Sequence, residues 1–246
     1  MQLNINSLIG NKMEATDGDI GNVEEFYFDD DTWAIRYLVV KTDTWLSGRE
    51  VLIAPQALIK DSWMVGRFPI NLTKELIKNS PDIDTDIPVS RQQEIVLYGH
   101  YAWERYGGNG FYAGASAPFM ITPFPILDEK IIKETDSNSN DEKPDYDTHL
   151  RSTKIITGYH IHAIDGEIGH VNDFIIDTET WLIISLVVDT HNWFGGKKVL
   201  IPVANIKEVQ WENSKVIIKE TKDAIKNSVV FEEADFFHQD SSNTVM

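Results

Sequence analysis

The amino-acid sequence contains two copies of one pattern, and this internal repeat limits the possible folds more than any other feature. Gly18 matches Gly166 and Trp33 matches Trp181, with the same offset in both pairs (166 − 18 = 148 and 181 − 33 = 148). No gap is needed to align residues 8–80 with the second half of the chain. Since such self-similarity is the signature of a duplicated structural unit, the sequence predicts two copies of one small domain.

The expected domain boundaries follow from the repeat and from the composition between its copies. Residues 82–150 contain 5 Lys+Arg and 13 Asp+Glu, a net charge of −8 (5 − 13), and their second half has almost nothing apolar to bury. The predicted division is a first repeat over 1–81, a helical and Gly/Pro-rich connector over 82–132, an acidic flexible linker over 133–152, a second repeat over 153–233 and a C-terminal tail over 234–246.

Each repeat has the signals of short strands. Asp17–Gly18 is a dipeptide typical of a two-residue β-hairpin turn. The alternation of apolar residues breaks at Gly21–Asn22, which indicates a β-bulge. The β-branched run at 35–40 is typical of a buried strand. Thr73 and its counterpart Thr221 stand where the N-cap of a short helix is expected.

Together these signals predict a mainly β fold class. Because closing a sheet removes its exposed edges, we expect two small antiparallel β-barrels, each followed by a short helix. A capping-box pattern at the start of the connector predicts a helix over about residues 90–106. A long irregular linker follows it, since prolines and glycines interrupt the later connector.

The repeated pattern resembles the PRC-barrel family, and the connector resembles the helix that follows the barrel in tandem bacterial members. The segments that carry the likeness are residues 165–171, 186–189 and 195–202 in the second copy, 17–23, 38–40 and 51–55 in the first, and 90–103 in the connector. The resemblance implies PRC-type barrels that serve as assembly or adaptor modules, with no catalytic motif.

Composition excludes several partners and compartments. A net charge of −17 with a pI near 4.7 argues against nucleic acid, because a binder needs a basic face to displace counterions from phosphates. No apolar run approaches the length of a membrane span, so direct membrane insertion is not expected. The start of the sequence lacks the features of a signal peptide and there are no cysteines. Cytoplasmic localisation is therefore predicted.

The repeated tryptophans supply the candidate interaction residues. Trp45–Leu46 in the first copy and Trp193–Phe194 in the second stand in predicted turns. Turns rarely need such large apolar side chains, and exposed tryptophans are common hot spots of protein interfaces. Packing in the core or at a barrel rim is nevertheless the favoured explanation for the repeated tryptophans, including Trp33 and Trp181, and a shared interaction surface is the alternative.

A glycine-rich stretch in the connector supplies the candidate ligand-contacting residues, which are Tyr106, Phe111 and Tyr112. The stretch lacks the Gly-Lys-Ser/Thr ending of a phosphate-binding loop. Packing of this loop over a barrel or a neighbouring subunit is favoured over contact with a ligand.

Three histidines raise the possibility of a metal site. With Asp165–Gly166 as the turn, His160 and His162 share one face of the hairpin whereas His170 points to the other. The equivalent positions in the first copy are occupied by other residue types. The sequence therefore favours exposed strand histidines, with no metal and no cofactor.

The resulting functional prediction is a non-enzymatic adaptor or assembly module that acts through protein contacts, either with a protein partner or as a homo-oligomer. The alternative is a small-molecule or metal-binding sensor that uses the cleft between the two barrels. An enzyme is not predicted, because no nucleophile and base can be paired from their spacing.

Overall fold

The computed structural model describes residues 1–59, 66–81, 91–103, 150–190 and 196–232. The chain divides into two compact units. One unit comprises Met1–Val89 together with Thr148–Met246, and the other is Ser90–Asp147. In the second unit the described element is a single helix, Arg91–Tyr101, which begins where the sequence predicted and ends about five residues earlier than predicted.

The first unit contains thirteen β-strands in the part of the chain that the structure describes. Those of the first half are β1 (Gln2–Asn4), β2 (Lys12–Ala15), β3 (Gly18–Asp29), β4 (Ile35–Thr42), β5 (Glu50–Ile53) and β6 (Arg67–Pro69). Those of the second half are β7 (Leu150–Ser152), β8 (His160–Ala163), β9 (Gly166–Asp177), β10 (Leu182–Asp189), β11 (Lys198–Pro202), β12 (Ile206–Gln210) and β13 (Lys215–Ile218). The described helices are α1 (Lys74–Lys78), α2 (Arg91–Tyr101), α3 (Thr153–Ile156) and α4 (Lys222–Lys226).

The short helices after the sheets begin where the sequence predicted. The hydroxyl of Thr73 accepts the backbone N–H of Leu76 at 3.3 Å, and the hydroxyl of Thr221 accepts that of Ala224 at 3.4 Å. Each cap satisfies one of the backbone donors that a helix leaves free at its first turn. The predicted short helix after each repeat is therefore confirmed.

The strands form two sheets with corresponding strand orders. The first sheet has the order β5-β4-β3-β2-β6, and the second has the order β11-β10-β9-β8-β13-β12. Both are mainly antiparallel, and their buried faces hold most of the core. Phe26, Tyr37 and Phe174 are among the largest fully buried side chains.

The prediction of closed antiparallel barrels was wrong in two respects. The backbone pairing within the described ranges leaves both sheets open at their ends. In addition, β6 pairs with β2 and β13 pairs with β8 in parallel. The alternation of side chains could not reveal this, because the direction of a neighbouring strand is set by the path of the connecting chain and not by the strand's own residues.

Glycine is required where the long strands bend. Bulges occur at Ile20 and Glu24 in β3, on either side of the predicted site at Gly21–Asn22. Gly21 and its counterpart Gly169 have φ values of 157° and 154°. A Cβ atom at either position would lie 1.9 Å from a carbonyl oxygen of the adjacent strand. Any side chain there would force the two strands apart.

The two sheets exchange short strands. Strand β1 precedes the first sheet in sequence but pairs with β9 of the second sheet, from Gln2 opposite Asp177 to Asn4 opposite Ile175. Strand β7 pairs in the same manner with β3 of the first sheet. The offset of 148 residues that relates the repeats also relates β1 to β7 (150 − 2 = 148). The exchange is therefore reciprocal.

Strand β7 occupies the end of the segment that the sequence assigned to the flexible linker. Leu150–Ser152 have one buried apolar side chain and too little periodicity to be recognised as a strand. Their partner is distant in sequence, since Arg151 lies opposite Phe28. The strand forms because β3 offers it a free edge.

Candidate functional site

The two sheets meet at a surface that we call the seam. It consists of β1 and β7 with their partner strands and of the two loops that contain Trp33 and Trp181. A β-bridge joins Ala34 to Leu182, and these two residues are themselves 148 apart (182 − 34). The bridge therefore relates the two repeats symmetrically, as a twofold axis relates two subunits.

In each of the two loops at this bridge, the tryptophan has an unfavourable backbone conformation. Trp33 and Trp181 have φ values of 60° and 56°, in the left-handed region that bulky residues seldom occupy. The carbonyl oxygen of Trp33 accepts the N–H of Ile183, and that of Trp181 accepts the N–H of Ile35, both at 2.8 Å. Both side chains are half-buried. These contacts favour the packing explanation for this pair of tryptophans.

A buried carboxylate holds the end of β1 at the seam. Asp173 is 3% exposed, and its Oδ2 accepts the side-chain amide of Asn4 at 2.8 Å. Its Oδ1 accepts the backbone N–H groups of Asn6 at 3.1 Å and of Phe174 at 2.7 Å. Burial raises the pKa of Asp173, and these hydrogen bonds oppose the rise without cancelling it.

The equivalent position in the first sheet also holds an acidic side chain that binds the exchanged strand. Glu25 stands 148 residues before Asp173 (173 − 25), and its carboxylate accepts a short hydrogen bond from the hydroxyl of Ser152 at the end of β7. Burial raises the pKa of Glu25 as well, and the Ser152 hydrogen bond opposes the rise. Each sheet thus binds the strand that it receives from the other through one acidic side chain.

The predicted contact pair Trp45–Leu46 is half-buried, in a short 3-10 turn. The indole N–H of Trp45 donates to the carbonyl oxygen of Ile20 at 2.7 Å, and the ammonium group of Lys74 lies 5.4 Å from the ring centroid. The same carbonyl also accepts the backbone N–H of Asp43 at 3.1 Å, so the indole is a second donor to the bulged residue. Trp45 therefore has a structural role, which could not be separated from a contact role by sequence alone.

The other predicted site residues lie outside the described residues. They are Trp193 and Phe194 of the second interaction pair, and Tyr106, Phe111 and Tyr112 of the ligand-loop candidate. Their assignments stay predictions.

The three strand histidines are arranged differently from the prediction. The two-residue turn of the β8–β9 hairpin is Ile164–Asp165, and β9 has a bulge at Ile168, so His160 pairs directly with His170. Asp165 serves as a helix cap, since its Oδ1 accepts the N–H of Lys222 at 2.8 Å. The placement of His170 on the opposite face was therefore wrong.

His160, His162, Glu167 and His170 consequently share one outward face, which we call the histidine face. Nδ1 of His160 lies 2.8 Å from Oε1 of Glu167, and Nε2 of His162 lies 3.7 Å from Oε2 of the same residue. The hydrogen bond with His160 lowers the pKa of Glu167. In the described conformation, no group of three or more His, Asp or Glu side chains within these ranges is gathered to hold a metal ion.

Both repeats have exposed aliphatic side chains, but the two most exposed isoleucines of the described residues belong to the second repeat. Ile155 is 63% exposed and Ile164 is 70% exposed. The equivalent positions in the first repeat hold Ser7 (155 − 148) and Thr16 (164 − 148). The first repeat has exposed isoleucines of its own, Ile9 at 40% and Ile59 at 38%, so the repeats differ in the positions of these side chains and in their degree of exposure.

Comparison with known families identifies the second sheet. Residues 156–225, from the end of α3 to α4, match the family model of the PRC-barrel domain. The chain contains a PRC-barrel domain. The match covers β8 to β13, so the histidine face lies on the PRC-barrel domain. No curated protein matches the chain.

PRC-barrel domains often mediate protein interactions. None of the helices in the described ranges is long and apolar enough to cross a membrane.

Proposed function

We propose that the protein is a non-enzymatic adaptor or assembly module that acts through protein contacts, built from two PRC-type units. In this proposal the first sheet is a second copy of the PRC-barrel domain, and cytoplasm is its expected location. The reciprocal exchange of β1 and β7 supports the tandem arrangement, because a pair of equivalent units linked in this way corresponds to a dimer within one chain.

The observation that carries the proposed contact function is the exposure of two isoleucines in the second repeat, Ile164 within the PRC-barrel domain and Ile155 directly before it. Ile155 and Ile164 replace Ser7 and Thr16 of the other repeat, so the scaffold tolerates polar residues at both positions. An apolar side chain that the scaffold does not need is well suited to a partner surface. We therefore assign the contact to the second repeat, which has the most exposed isoleucines of the described residues.

The test compares the wild-type chain with the double variant Ile155→Ser, Ile164→Thr, in which each residue takes the identity found in the first repeat. Affinity capture and light scattering are expected to show a protein partner, or a second copy of the chain, that the wild type retains and the double variant loses. The matched control is Ile9→Thr in the first repeat, which replaces a less exposed isoleucine by the residue at the equivalent position, Thr157, and should retain the partner. A monomeric wild type that retains no partner, or equal retention by the double variant, would contradict the proposal.

Trp45→Ala and Trp193→Ala separate the two predicted interaction pairs from the isoleucine surface. If the tryptophan turns form the contact, these variants lose the partner while the isoleucine variant keeps it. The proposal expects the opposite result for Trp45, because its indole is already engaged by Ile20.

A further inference from the structure

The end of the second repeat adds an outermost segment to the second sheet. Residues 229–231 lie beside β11, and we call them the edge segment. The N–H of Leu200 donates to the carbonyl oxygen of Val229 at 2.9 Å. The N–H of Phe231 donates to the carbonyl oxygen of Lys198, also at 2.9 Å. These two hydrogen bonds hold the edge segment antiparallel to β11.

Val230, at the centre of the edge segment, presents its backbone to the outside of the sheet. It lies opposite Val199 of β11. Since the hydrogen-bonding groups of successive residues in a strand point to opposite sides, those of Val230 point away from β11, and they make no hydrogen bond within the described residues. The side chains of Val229 and Val230 are 69% and 37% exposed. The sheet therefore ends in an apolar edge of the kind that pairs readily with another strand.

The first repeat has residues at the equivalent positions that oppose such pairing. Pro81 corresponds to Val229 and Asp82 corresponds to Val230 (229 − 148 = 81 and 230 − 148 = 82). Prolines and charged side chains are the residues by which natural sheet edges avoid association. The second repeat therefore lacks, at its own edge, a protection that is present in the sequence of the first.

An apolar surface on one side of the second sheet adjoins this edge. Phe231 and Leu200 pack against the buried cluster that includes Ile175. Leu200 is only partly buried, whereas the equivalent Leu52 of the first sheet is 2% exposed. Val229 is two residues before Phe231, so its exposed side chain lies on the same side of the sheet. A strand added at the edge would cover these apolar side chains further.

We propose that the edge segments of two copies of the chain pair antiparallel about a twofold axis and join the two second sheets into one continuous sheet. With Val230 on the axis, the two Val230 residues exchange N–H···O=C hydrogen bonds. Val229 of each copy then lies opposite Phe231 of the other, and the acidic Glu232 lies opposite the neutral Ser228. This register pairs apolar side chains with one another and keeps the acidic ones apart.

This inference goes beyond the proposed function, because it names a second copy of the chain and a surface that does not include the exposed isoleucines. The double variant Ile155→Ser, Ile164→Thr should therefore keep the dimer. Failure of either proposal is in this way distinguishable from failure of the other.

Analytical ultracentrifugation of the full-length, untagged chain tests the pairing. At about 100 μM the wild type should sediment as a dimer of about 56 kDa (2 × 28.0) that dissociates on dilution. Val230→Pro should raise the dissociation constant of the dimer at least about tenfold, because proline removes the outward N–H while the two hydrogen bonds to β11 are made by other residues. The matched control is Val230→Thr, which keeps the N–H and the β-branched shape and should dimerise as the wild type does.

A wild type that stays monomeric at about 100 μM, or a dimer of unchanged strength in Val230→Pro, overturns the proposal. If Val230→Pro does not fold, Val229→Lys decides the matter, because this position is 69% exposed and the fold tolerates a charge there. The charge would be buried against Phe231 of the second copy, so an unweakened dimer contradicts the pairing. A monomer in which the N–H of Val230 is protected from hydrogen exchange would assign the edge to another segment of the same chain, and it likewise overturns the proposal.

Discussion

Replacing Asn4 by alanine is expected to destabilise the second sheet, although residue 4 precedes the first sheet in sequence. The side-chain amide of Asn4 donates to Oδ2 of Asp173 at 2.8 Å, and both residues are 3% exposed. A hydrogen bond to a charged group contributes about 1.5–3 kcal/mol. Because the pair is buried, solvent screening reduces this contribution little.

One opposing effect lowers the net cost. Oδ1 of Asn4 is buried without a hydrogen-bond partner, and the alanine variant removes this unfavourable atom, which returns roughly 1 kcal/mol. Asp173 also keeps the backbone donors of Asn6 and Phe174. The expected net loss in the free energy of unfolding is therefore about 1–2 kcal/mol.

Urea denaturation of the full chain measures this loss. With a slope of about 2 kcal/mol per molar urea, the midpoint should fall by roughly 0.5–1 M. Asn6→Ala is the matched control, because its side-chain amide makes only an exposed 3.4 Å hydrogen bond to the carbonyl of Asn172. The control should change stability by less than about 0.5 kcal/mol.

Equal and small effects of Asn4→Ala and Asn6→Ala would refute the assigned role of the seam carboxylate. A double-mutant cycle that combines Asn4→Ala with Asp173→Asn is a second test, because it measures the coupling energy between the two side chains. Residues in contact are expected to be coupled by about 0.5–3 kcal/mol, whereas independent residues are additive.

Three further predictions concern single residues. The raised pKa of Asp173 means that the native state binds this proton more tightly than the unfolded state does, so the contribution to stability is complete below the unfolded pKa of about 3.9 and is lost as the pH rises through the native pKa. Asp173→Asn should therefore gain stability relative to the wild type in urea titrations as the pH is raised above about 4, and a difference that does not change with pH would contradict this. Gly169→Ala should lower the free energy of unfolding, measured by thermal unfolding, by more than about 3 kcal/mol, because its Cβ atom would lie 1.9 Å from the carbonyl oxygen of Asp189. An almost unchanged stability would contradict the close approach of the two strands. Trp45→Phe should lower the free energy of unfolding, measured by urea denaturation, by about 1 kcal/mol, since its hydrogen bond to Ile20 is removed. Unchanged stability would contradict the structural role of this hydrogen bond.

Local sequence signals predicted the elements that depend on neighbouring residues. The caps at Thr73 and Thr221 and the short helices after them were predictable, because a cap involves residues only three apart. The irregularity near Gly21 was also visible, since it interrupts the alternation of apolar side chains. The bulges occur on both sides of that glycine.

Features that depend on distant partners were not predictable. Strand β7 had no signal of its own, because its pairing is decided by the free edge of β3 more than one hundred residues away. The histidine face was missed for a related reason. The bulge at Ile168 reverses the side on which His170 lies, whereas the shift of the turn by one residue changes the pairing partners without changing that side.

The central claim is that exchanged strands join the two sheets into one body. Hydrogen exchange of β9 amides, compared between the full chain and a chain lacking residues 1–4, tests it most directly. The account predicts faster exchange around Ile175–Asp177, in the second sheet, while the amides of β4 and β5 in the first sheet stay protected. Unchanged protection in β9, or a loss confined to the first sheet, would contradict the exchange.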